Sequence, residues 1–200
     1  GAVRGRTQGT IEIEDNSDSK GNHVCKPGGD YYLFGARSLL DSPGEWFYDD
    51  DSGKLHVWSE ETGLPPRGVE IKVRRHVFDL RGRQHITIEA VEMFGATLAT
   101  DDESAHLTLD GVRARYVDHS NRATQQYRSQ SNTGMAFRGR GHVIRNCEIA
   151  YSSGNCVALF GSDCLVVNNY IHDGNYMGTY AVPLAFGHGA RDNAVSHNTI

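Results

Sequence analysis

The sequence lacks the features that would place it in a membrane, on nucleic acid or around a metal. It has no run of about 18 apolar residues, so no transmembrane helix is expected. Its formal net charge is −5, with both signs interspersed and no basic stripe, which argues against a nucleic-acid partner. Lysine is absent after Lys72. Only 5 prolines occur, which fits a chain of short strands and turns.

Cysteine is also scarce. The 4 cysteines form no CxxC pair and no metal-ligand spacing. Three of them lie among apolar residues, so we expect free thiols buried in the core, with a disulfide left open as the alternative. The positions are Cys25, Cys147, Cys156 and Cys164.

The sequence is instead rich in glycine and contains an internal repeat. Its 23 glycines are typical of many short turns. Between Gly134 and Ile200 one pattern occurs three times, a short apolar run ending in glycine followed by a second apolar run. The glycines are Gly139, Gly161 and Gly187, and the closing isoleucines are Ile149, Ile171 and Ile200. Spacings of 22 to 29 residues predict a solenoid of parallel strands.

Two earlier units extend this repeat. The segment Gln84–Met93 matches Ala105–Ala114 at a displacement of 21 residues. The next equivalent strand follows 35 residues later, so residues 118–131 are predicted to be a polar insertion. A shorter insertion is predicted at Gly174–Tyr180.

Alternation within each unit predicts which side chains point inward and stack between units. One inward ladder is Ile86, Leu107, His142, Cys164 and Asn193, and the other is Ile88, Leu109, Ile144, Val166 and Val195. At the next corner Cys147, Asn169 and Asn198 align. Asparagine there is expected to hydrogen-bond the backbone of the neighbouring unit and to tolerate a left-handed turn.

The chain is predicted to divide near residue 68. Residues 1–68 lack the repeat and form a small β-rich segment, whereas residues 69–200 form the parallel coils, which are cut off at Ile200. Residues 45–58 predict a β-hairpin, with a turn centred on Asp51-Ser52-Gly53. Trp46, Tyr48, Leu55 and Val57 are expected to share one buried face of that hairpin.

Two stretches carry a resemblance to a known group of proteins. The phrases VVNNYIHDG and AVSHNTI resemble the strand-and-turn units of right-handed parallel β-helix proteins. The hairpin sequence LDSPGEWFYDDDSGKLHVW is similar to the N-terminal segment of bacterial β-helix glycoside hydrolases of the β-xylosidase and fucosidase/xylanase type. This resemblance implies an all-β, right-handed parallel β-helix, a carbohydrate substrate, and secretion to an extracellular or periplasmic location.

His172-Asp173 is the first candidate for catalysis, because it follows inward Ile171 where the repeat meets an insertion. Asp173 is suited to act as general acid, base or nucleophile, with His172 orienting it or sharing its proton. Tyr176, in the insertion, is suited to stack on a sugar ring. The competing interpretation is that Asp173-Gly174 is only a turn, which this dipeptide favours.

The other candidates also lie where the repeat is interrupted. Asp118 is the third catalytic candidate, with a solvated loop carboxylate as the alternative. Substrate-binding residues are predicted in the long insertion and in a three-residue excess of the last unit. They are His119, Arg122, Tyr127, Arg128, His188, Arg191 and Asp192.

Three further polar groups are interpreted as structural. His142 is expected to be a core histidine hydrogen-bonded to the neighbouring unit. Asp101-Asp102-Glu103 is expected to be a solvated turn rather than a calcium site. Asp49-Asp50-Asp51 is assigned to the hairpin turn.

The sequence therefore predicts a glycoside hydrolase that uses paired carboxylates on the β-helix face, with no cofactor. The second carboxylate is expected beyond Ile200. One alternative is a lyase or epimerase acting on uronic acids with a Lys, Arg, His or Tyr base, where Ca²⁺ has a role. Another is a noncatalytic carbohydrate-binding β-helix, which requires aromatic stripes and no paired carboxylates. The sugar, the linkage and the oligomeric state are left open.

Overall fold

The computed structural model of the chain describes residues 3–7, 10–13, 33–60, 68–118, 134–176 and 181–200. These residues form eighteen short strands and one 3-10 turn, Arg37–Leu39, so the all-β class is confirmed. The chain divides into two compact units, Gly1–Ile71 and Lys72–Ile200, which are described separately. Within the described residues, no helix is long and apolar enough to cross a membrane.

The described residues of the first unit form two antiparallel strand pairs. Its strands are β1 (Val3–Thr7), β2 (Thr10–Ile13), β3 (Trp46–Asp49) and β4 (Lys54–Val57). β1 pairs with β2, and β3 pairs with β4 in the predicted hairpin. The Asp49 carboxylate accepts hydrogen bonds from the Asp51 N–H at 3.1 Å and from Ser52 Oγ at 2.7 Å. The structural role predicted for this acidic run is therefore confirmed.

The prediction of a buried aromatic face on the hairpin is wrong. The register pairs Trp46 with Val57 and Tyr48 with Leu55, so these four side chains do share a face. However, Trp46 is 61% exposed and Tyr48 is 47% exposed. Phe47, on the opposite face, is the more buried aromatic residue of this strand. Alternation separates the two faces of a hairpin, but it does not determine which of them is covered.

The second unit is built from strands of three to five residues. They are β5 (His76–Asp79), β6 (Thr87–Glu89), β7 (Glu92–Phe94), β8 (Thr97–Ala99), β9 (Thr108–Asp110), β10 (Arg113–Arg115), β11 (Met135–Phe137), β12 (Val143–Arg145), β13 (Glu148–Ser152), β14 (Val157–Leu159), β15 (Leu165–Val167), β16 (Tyr170–Gly174), β17 (Leu184–Phe186) and β18 (Ala194–Ser196).

These strands form three parallel sheets and one parallel pair. Sheet 1 has the order β18-β15-β12-β9-β6, sheet 2 the order β16-β13-β10-β7, and sheet 3 the order β11-β14-β17. β5 pairs separately with β8. From β11 onward the chain visits sheet 3, sheet 1 and sheet 2 in turn and then begins again. Each repeat therefore lies directly against the previous one.

The register predicted from the repeat is confirmed. Ile88, Leu109, Ile144, Val166 and Val195 are paired in that order across sheet 1. The first four are buried in one continuous apolar cluster that the inward faces of the sheets share. Burying one such side chain contributes about 1.5–3 kcal/mol. Val195 is exposed, because its strand β18 lies at the edge of the sheet.

The repeated glycines are explained by close contact between successive repeats. A Cβ built on Gly139 would lie 1.9 Å from the Ser104 carbonyl oxygen, and one on Gly161 would lie 2.3 Å from that of Gly139. A Cβ on Gly187 would meet the Phe160 ring at 2.1 Å. The neighbouring backbone leaves no room for a side chain at Gly139 or Gly161, and at Gly187 the Phe160 ring would have to move, which explains why glycine recurs there.

The hydrogen bonds predicted for the asparagines at the corner are confirmed. Asn169 Oδ1 accepts from the Cys147 N–H at 2.9 Å, and Asn198 Oδ1 accepts from the Asn169 N–H at 2.9 Å. Asn169 Nδ2 also donates to the Ile144 carbonyl at 3.0 Å. Each amide thus joins two neighbouring repeats.

The left-handed backbone predicted for those asparagines lies instead one residue earlier. The residues with positive φ at this corner are Ala90 (52°), Gly111 (63°), Asn146 (57°), Asn168 (55°) and His197 (57°). The amide of Asn169 is directed inward, where it reaches buried backbone groups. The turn conformation therefore belongs to the exposed residue before it.

The predicted roles of His142 and of three cysteines are confirmed. His142 is fully buried, and its Nδ1 accepts a hydrogen bond from the Leu107 N–H of the neighbouring repeat at 3.3 Å. Its Nε2 donates to the Arg138 carbonyl at 2.6 Å, which fixes the neutral tautomer. Burial lowers the pKa of this imidazole. Cys147, Cys156 and Cys164 are buried free thiols, and Cys25 lies outside the described residues.

The acidic run 101–103 forms the predicted turn, but Asp101 is not simply solvated. Its Oδ1 accepts hydrogen bonds from the Gly82 N–H at 2.9 Å and from the Ser104 hydroxyl at 2.9 Å. The Gly82 bond is the main cause of the lowered pKa of Asp101. This carboxylate therefore joins two repeats.

Candidate functional site

The outward face of sheet 2 gathers charged and aromatic side chains from four strands. Its inward residues Met93, Ala114, Ile149 and Ile171 are buried, so the residues that alternate with them point outward. The register aligns Glu92, Arg113, Glu148 and Tyr170 in one row, and Phe94, Arg115, Ala150 and His172 in the next. Equivalent positions lie about 4.8 Å apart between strands. This surface is called the sheet 2 face below.

Glu148 lies at the centre of the charges on the sheet 2 face. Its Oε2 lies 3.0 Å from Arg113 Nε, and its Oε1 lies 2.8 Å from Arg115 Nη2. Arg113 also reaches Glu92 Oε1 at 3.3 Å. The hydrogen bond from Arg115, aided by the charges of both arginines, lowers the pKa of Glu148. Glu148 is therefore ionised at neutral pH, as a base or nucleophile must be.

His172 lies between two carboxylates. Its Nδ1 is 2.7 Å from Asp173 Oδ2, and its Nε2 is 3.9 Å from Glu148 Oε1. Asp173 accepts the Nδ1–H, which leaves Nε2 directed toward Glu148. Nε2 is buried without a hydrogen-bond partner among the described residues. The imidazole therefore bonds to Asp173 on one side and faces the Glu148 carboxylate on the other.

Asp173 and Gly174 both belong to β16, and Gly174 pairs with Ser152 of β13, so they do not form the turn that the competing interpretation required. The backbone of Asp173 is nevertheless left-handed, with φ of 50°, as it is at Tyr151 and Tyr116, which have φ of 59° and 55°. The Asp173 side chain is 58% exposed and in contact with His172, so β16 presents a carboxylate to solvent.

A line of aromatic rings runs beside these charges. Phe94 meets the edge of Tyr116 at 5.3 Å between ring centroids, and Tyr116 stacks on Tyr151 at 5.1 Å. Tyr151 then meets the edge of the His172 ring at 5.8 Å, and Tyr170 stacks on that ring at 3.9 Å. We call these five residues the aromatic strip. Phe94, Tyr116 and Tyr170 are exposed, so the strip offers flat apolar surface to a ligand.

Asp118 lies two residues beyond Tyr116 and is buried, so the alternative of a solvated loop carboxylate is wrong. Its Oδ2 accepts a hydrogen bond from the Gly134 N–H at 3.4 Å, and its carbonyl accepts one from the Ser153 N–H at 2.9 Å. Burial, followed by the charge of Asp118, raises the pKa of Tyr176 to about 12. Asp118 and Tyr176 are thus brought together near the end of sheet 2.

Three of the other predicted substrate-binding residues lie away from this face. His188, Arg191 and Asp192 lie between β17 and β18, where the chain passes from sheet 3 to sheet 1. Arg191 Nε is 3.9 Å from Asp192 Oδ2, and both side chains are exposed. Four more predicted residues, His119, Arg122, Tyr127 and Arg128, lie outside the described residues.

Sequence reasoning did not find Glu148, Arg113, Arg115 or Phe94. A signal for them was present, because the displacement between repeats places Glu92, Arg113 and Glu148 at one outward position with alternating charge. The prediction did not single out these outward positions, because they lack the apolar pattern that identifies inward residues. No group of three or more His, Cys, Asp or Glu side chains is placed to hold a metal ion within the part of the chain that the structure describes.

No family model, curated protein or solved structure matches this chain. The resemblance to β-helix glycoside hydrolases therefore stays a prediction. The residues of the sheet 2 face are therefore the basis for assigning a function.

Proposed function

We propose that residues 72–200 form a right-handed parallel β-helix. The cyclic passage of the chain through three sheets, with every ladder parallel and in register, supports this architecture. Parallel strands joined by crossovers within one sheet are right-handed in about 98% of cases, which supports the handedness. A β-helix exposes long flat faces, and the sheet 2 face is one of them.

We further propose that the sheet 2 face hydrolyses glycosidic bonds in a polysaccharide or oligosaccharide. The observation that carries this proposal is the arrangement Glu148–His172–Asp173 beside the aromatic strip. Glycoside hydrolysis requires two carboxyl groups in different protonation states, one to protonate the leaving oxygen and one to activate water or attack carbon. Both carboxylates of this arrangement belong to the described residues.

The two carboxylates are assigned different tasks by their neighbours. Arg113 and Arg115 hold Glu148 ionised, so it serves as the base that activates water. Asp173 accepts the Nδ1–H of His172 at 2.7 Å, so the His172–Asp173 pair is assigned the role of the acid.

The aromatic strip supports a second candidate, a noncatalytic carbohydrate-binding surface. Sugar rings stack on flat aromatic side chains, and Tyr116, Tyr151 and Tyr170 present such surfaces along one edge of the sheet. This candidate requires binding without turnover. The uronate lyase alternative would use Arg113 or Arg115 to neutralise a substrate carboxylate and His172 as base, and it requires an unsaturated product.

The experiment is a polysaccharide panel assayed for reducing ends and for the ultraviolet absorbance of unsaturated uronates. Reducing ends without that absorbance support hydrolysis, whereas absorbance supports the lyase. Asp173→Asn and Glu148→Gln should each lower kcat by about 10²- to 10⁴-fold. Asp163→Asn is the matched control, because Asp163 is also exposed with a left-handed backbone, φ of 58°, and lies outside the sheet 2 face. Unchanged turnover in both site variants would refute the proposal.

Binding has to be measured alongside turnover. Tyr170→Ala removes the ring stacked on His172 and should weaken the affinity for a bound oligosaccharide by about tenfold. Affinity that depends on Tyr170, without any turnover across the panel, would establish the noncatalytic candidate instead.

A further inference from the structure

A cleft of about 190 Å³ lies between β8 and β11, away from the sheet 2 face. Its wall residues belong to the loops and strands around these two elements. They are Arg75, His76, Arg81, Thr97, Leu98, Ala99, Thr100, Gly134, Ala136 and Arg138. The volume equals the share of about six water molecules, which suits a small charged group or a single sugar unit rather than a long chain.

The cleft exists because the sheet is interrupted there. β8 pairs with β5, while β11 pairs with β14, and no strand ladder joins β8 to β11 in the described chain. Threonine hydroxyls make the connection instead. Thr97 Oγ1 donates to the Gly134 carbonyl at 3.0 Å, and Thr100 Oγ1 donates to the Ala136 carbonyl at 2.7 Å. Thr100 Oγ1 also accepts the Arg138 N–H at 2.9 Å, so the edges of the opening are fixed.

The lining of the cleft is cationic. Three arginines and one histidine contribute to it, and none of its residues is acidic. Among the described residues, the Asp79 carboxylate is bonded to Arg81 through two nitrogens, and the charge of Asp101 also acts on Arg81. The Arg138 guanidinium lies over the Phe160 ring at 4.5 Å, a contact that orients it without neutralising its charge. Burial, and then Arg75 and Arg81, lower the pKa of His76, as expected where positive charge accumulates.

We propose that this cleft binds a small oxyanion, either the carboxylate of an acidic sugar or a sulfate group. Guanidinium groups match planar and tetrahedral oxyanions with paired N–H donors. Leu98, Ala99 and Ala136 provide an apolar floor, which strengthens electrostatic attraction at the cleft. The proposal is independent of the reaction on the sheet 2 face, since the two surfaces have no residue in common.

The test is calorimetric titration at low ionic strength with sodium glucuronate, sodium sulfate and, as the neutral control, glucose. Saturable binding of glucuronate or sulfate but not of glucose is expected, and binding should weaken as salt is added. Glucuronate alone would identify an acidic sugar as the ligand, and sulfate alone a sulfate group. Binding of glucose with equal affinity, or no saturable binding of either anion, overturns the proposal.

Matched variants assign the binding to the cleft. Arg138→Gln should weaken anion affinity by about tenfold or more, because it removes one charge-assisted contact. Arg83→Gln removes an exposed charge two residues from Arg81 but outside the lining, and should change affinity by less than about twofold. If Arg138→Gln fails to fold, as judged by its thermal transition, Arg75→Gln serves in its place because that residue is exposed. Equal losses in the cleft and control variants would show general charge attraction and refute the site.

Discussion

Asn169 lies at the corner between sheets 1 and 2, where its side chain connects three successive repeats. Its Oδ1 accepts the Cys147 N–H at 2.9 Å, and its Nδ2 donates to the Ile144 carbonyl at 3.0 Å and to Asn198 Oδ1 at 2.9 Å. The residue is 3% exposed, so water does not replace these partners. Asn169→Ala therefore leaves the buried Cys147 N–H without a partner and removes one hydrogen bond from the Ile144 carbonyl.

The expected loss follows from these two changes. The buried donor left without a partner costs about 1–3 kcal/mol and the lost bond to the carbonyl about 0.5–1.5 kcal/mol, so Asn169→Ala should lower the free energy of unfolding by about 2–4 kcal/mol. With a urea m-value of about 2–3 kcal/mol/M, the midpoint should fall by about 1 M. The m-value itself should stay unchanged, because the surface exposed on unfolding is nearly the same.

Urea unfolding followed by circular dichroism measures this loss, with Asn168→Gly as the control. Asn168 is exposed, and its Nδ2 donates to Asn146 Oδ1 at 2.8 Å on the surface. Its φ is 55°, which glycine adopts readily, so the control should change stability by less than about 1 kcal/mol. If Asn169→Ala were no less stable than the control, the inward amides would not hold the repeats together as argued.

Three further outcomes are expected. Gly161→Ala places a Cβ 2.3 Å from the Gly139 carbonyl oxygen, so the backbone must shift. The free energy of unfolding should therefore fall by about 1–3 kcal/mol. An unchanged urea midpoint would contradict this close contact. Burial lowers the pKa of His142, whereas the unfolded chain takes up this proton near pH 6.5, so stability should decline as the pH falls below about 6.5. His142→Asn, which copies Asn193 at the aligned position, should reduce this decline between about pH 7.5 and pH 5.5, and equal declines refute the assignment. Burial raises the pKa of Cys156 to about 12, so this thiol should resist an aromatic disulfide reagent at about pH 8 until urea is added, and rapid labelling of the folded protein contradicts its burial.

The ladder of sheet 1 could be predicted from the sequence, because in a stacked repeat the number of residues between equivalent positions gives the pairing of the strands. A shift of 21 residues pairs Ile88 with Leu109, and a shift of 35 residues pairs Leu109 with Ile144. Each pairing was readable because inward positions are apolar and alternate with polar ones. His142 could be assigned for the same reason, since its place in the ladder directs it toward a neighbouring backbone.

The candidate site could be predicted only in part. His172-Asp173 was found because it lies where the repeat is interrupted, and its two side chains do meet at 2.7 Å. Glu148 was missed because it belongs to an uninterrupted strand, and its importance comes from Arg113, Arg115 and His172 on the strands beside it. Outward side chains are not constrained by packing, so the hydrophobic pattern of the sequence does not predict their contacts.

The repeat, the inward ladders and the role of the glycines at 139, 161 and 187 could be recognised in the sequence, because close stacking restricts which residues fit at each position. The contacts between outward residues emerged only from the folded chain. It grouped Glu148, His172 and Asp173 beside the aromatic strip, and it opened the cationic cleft where β8 and β11 fail to pair. The physical reason is that a repeat specifies the distance between neighbouring strands, whereas contacts on the surface also depend on side-chain length, charge and rotamer.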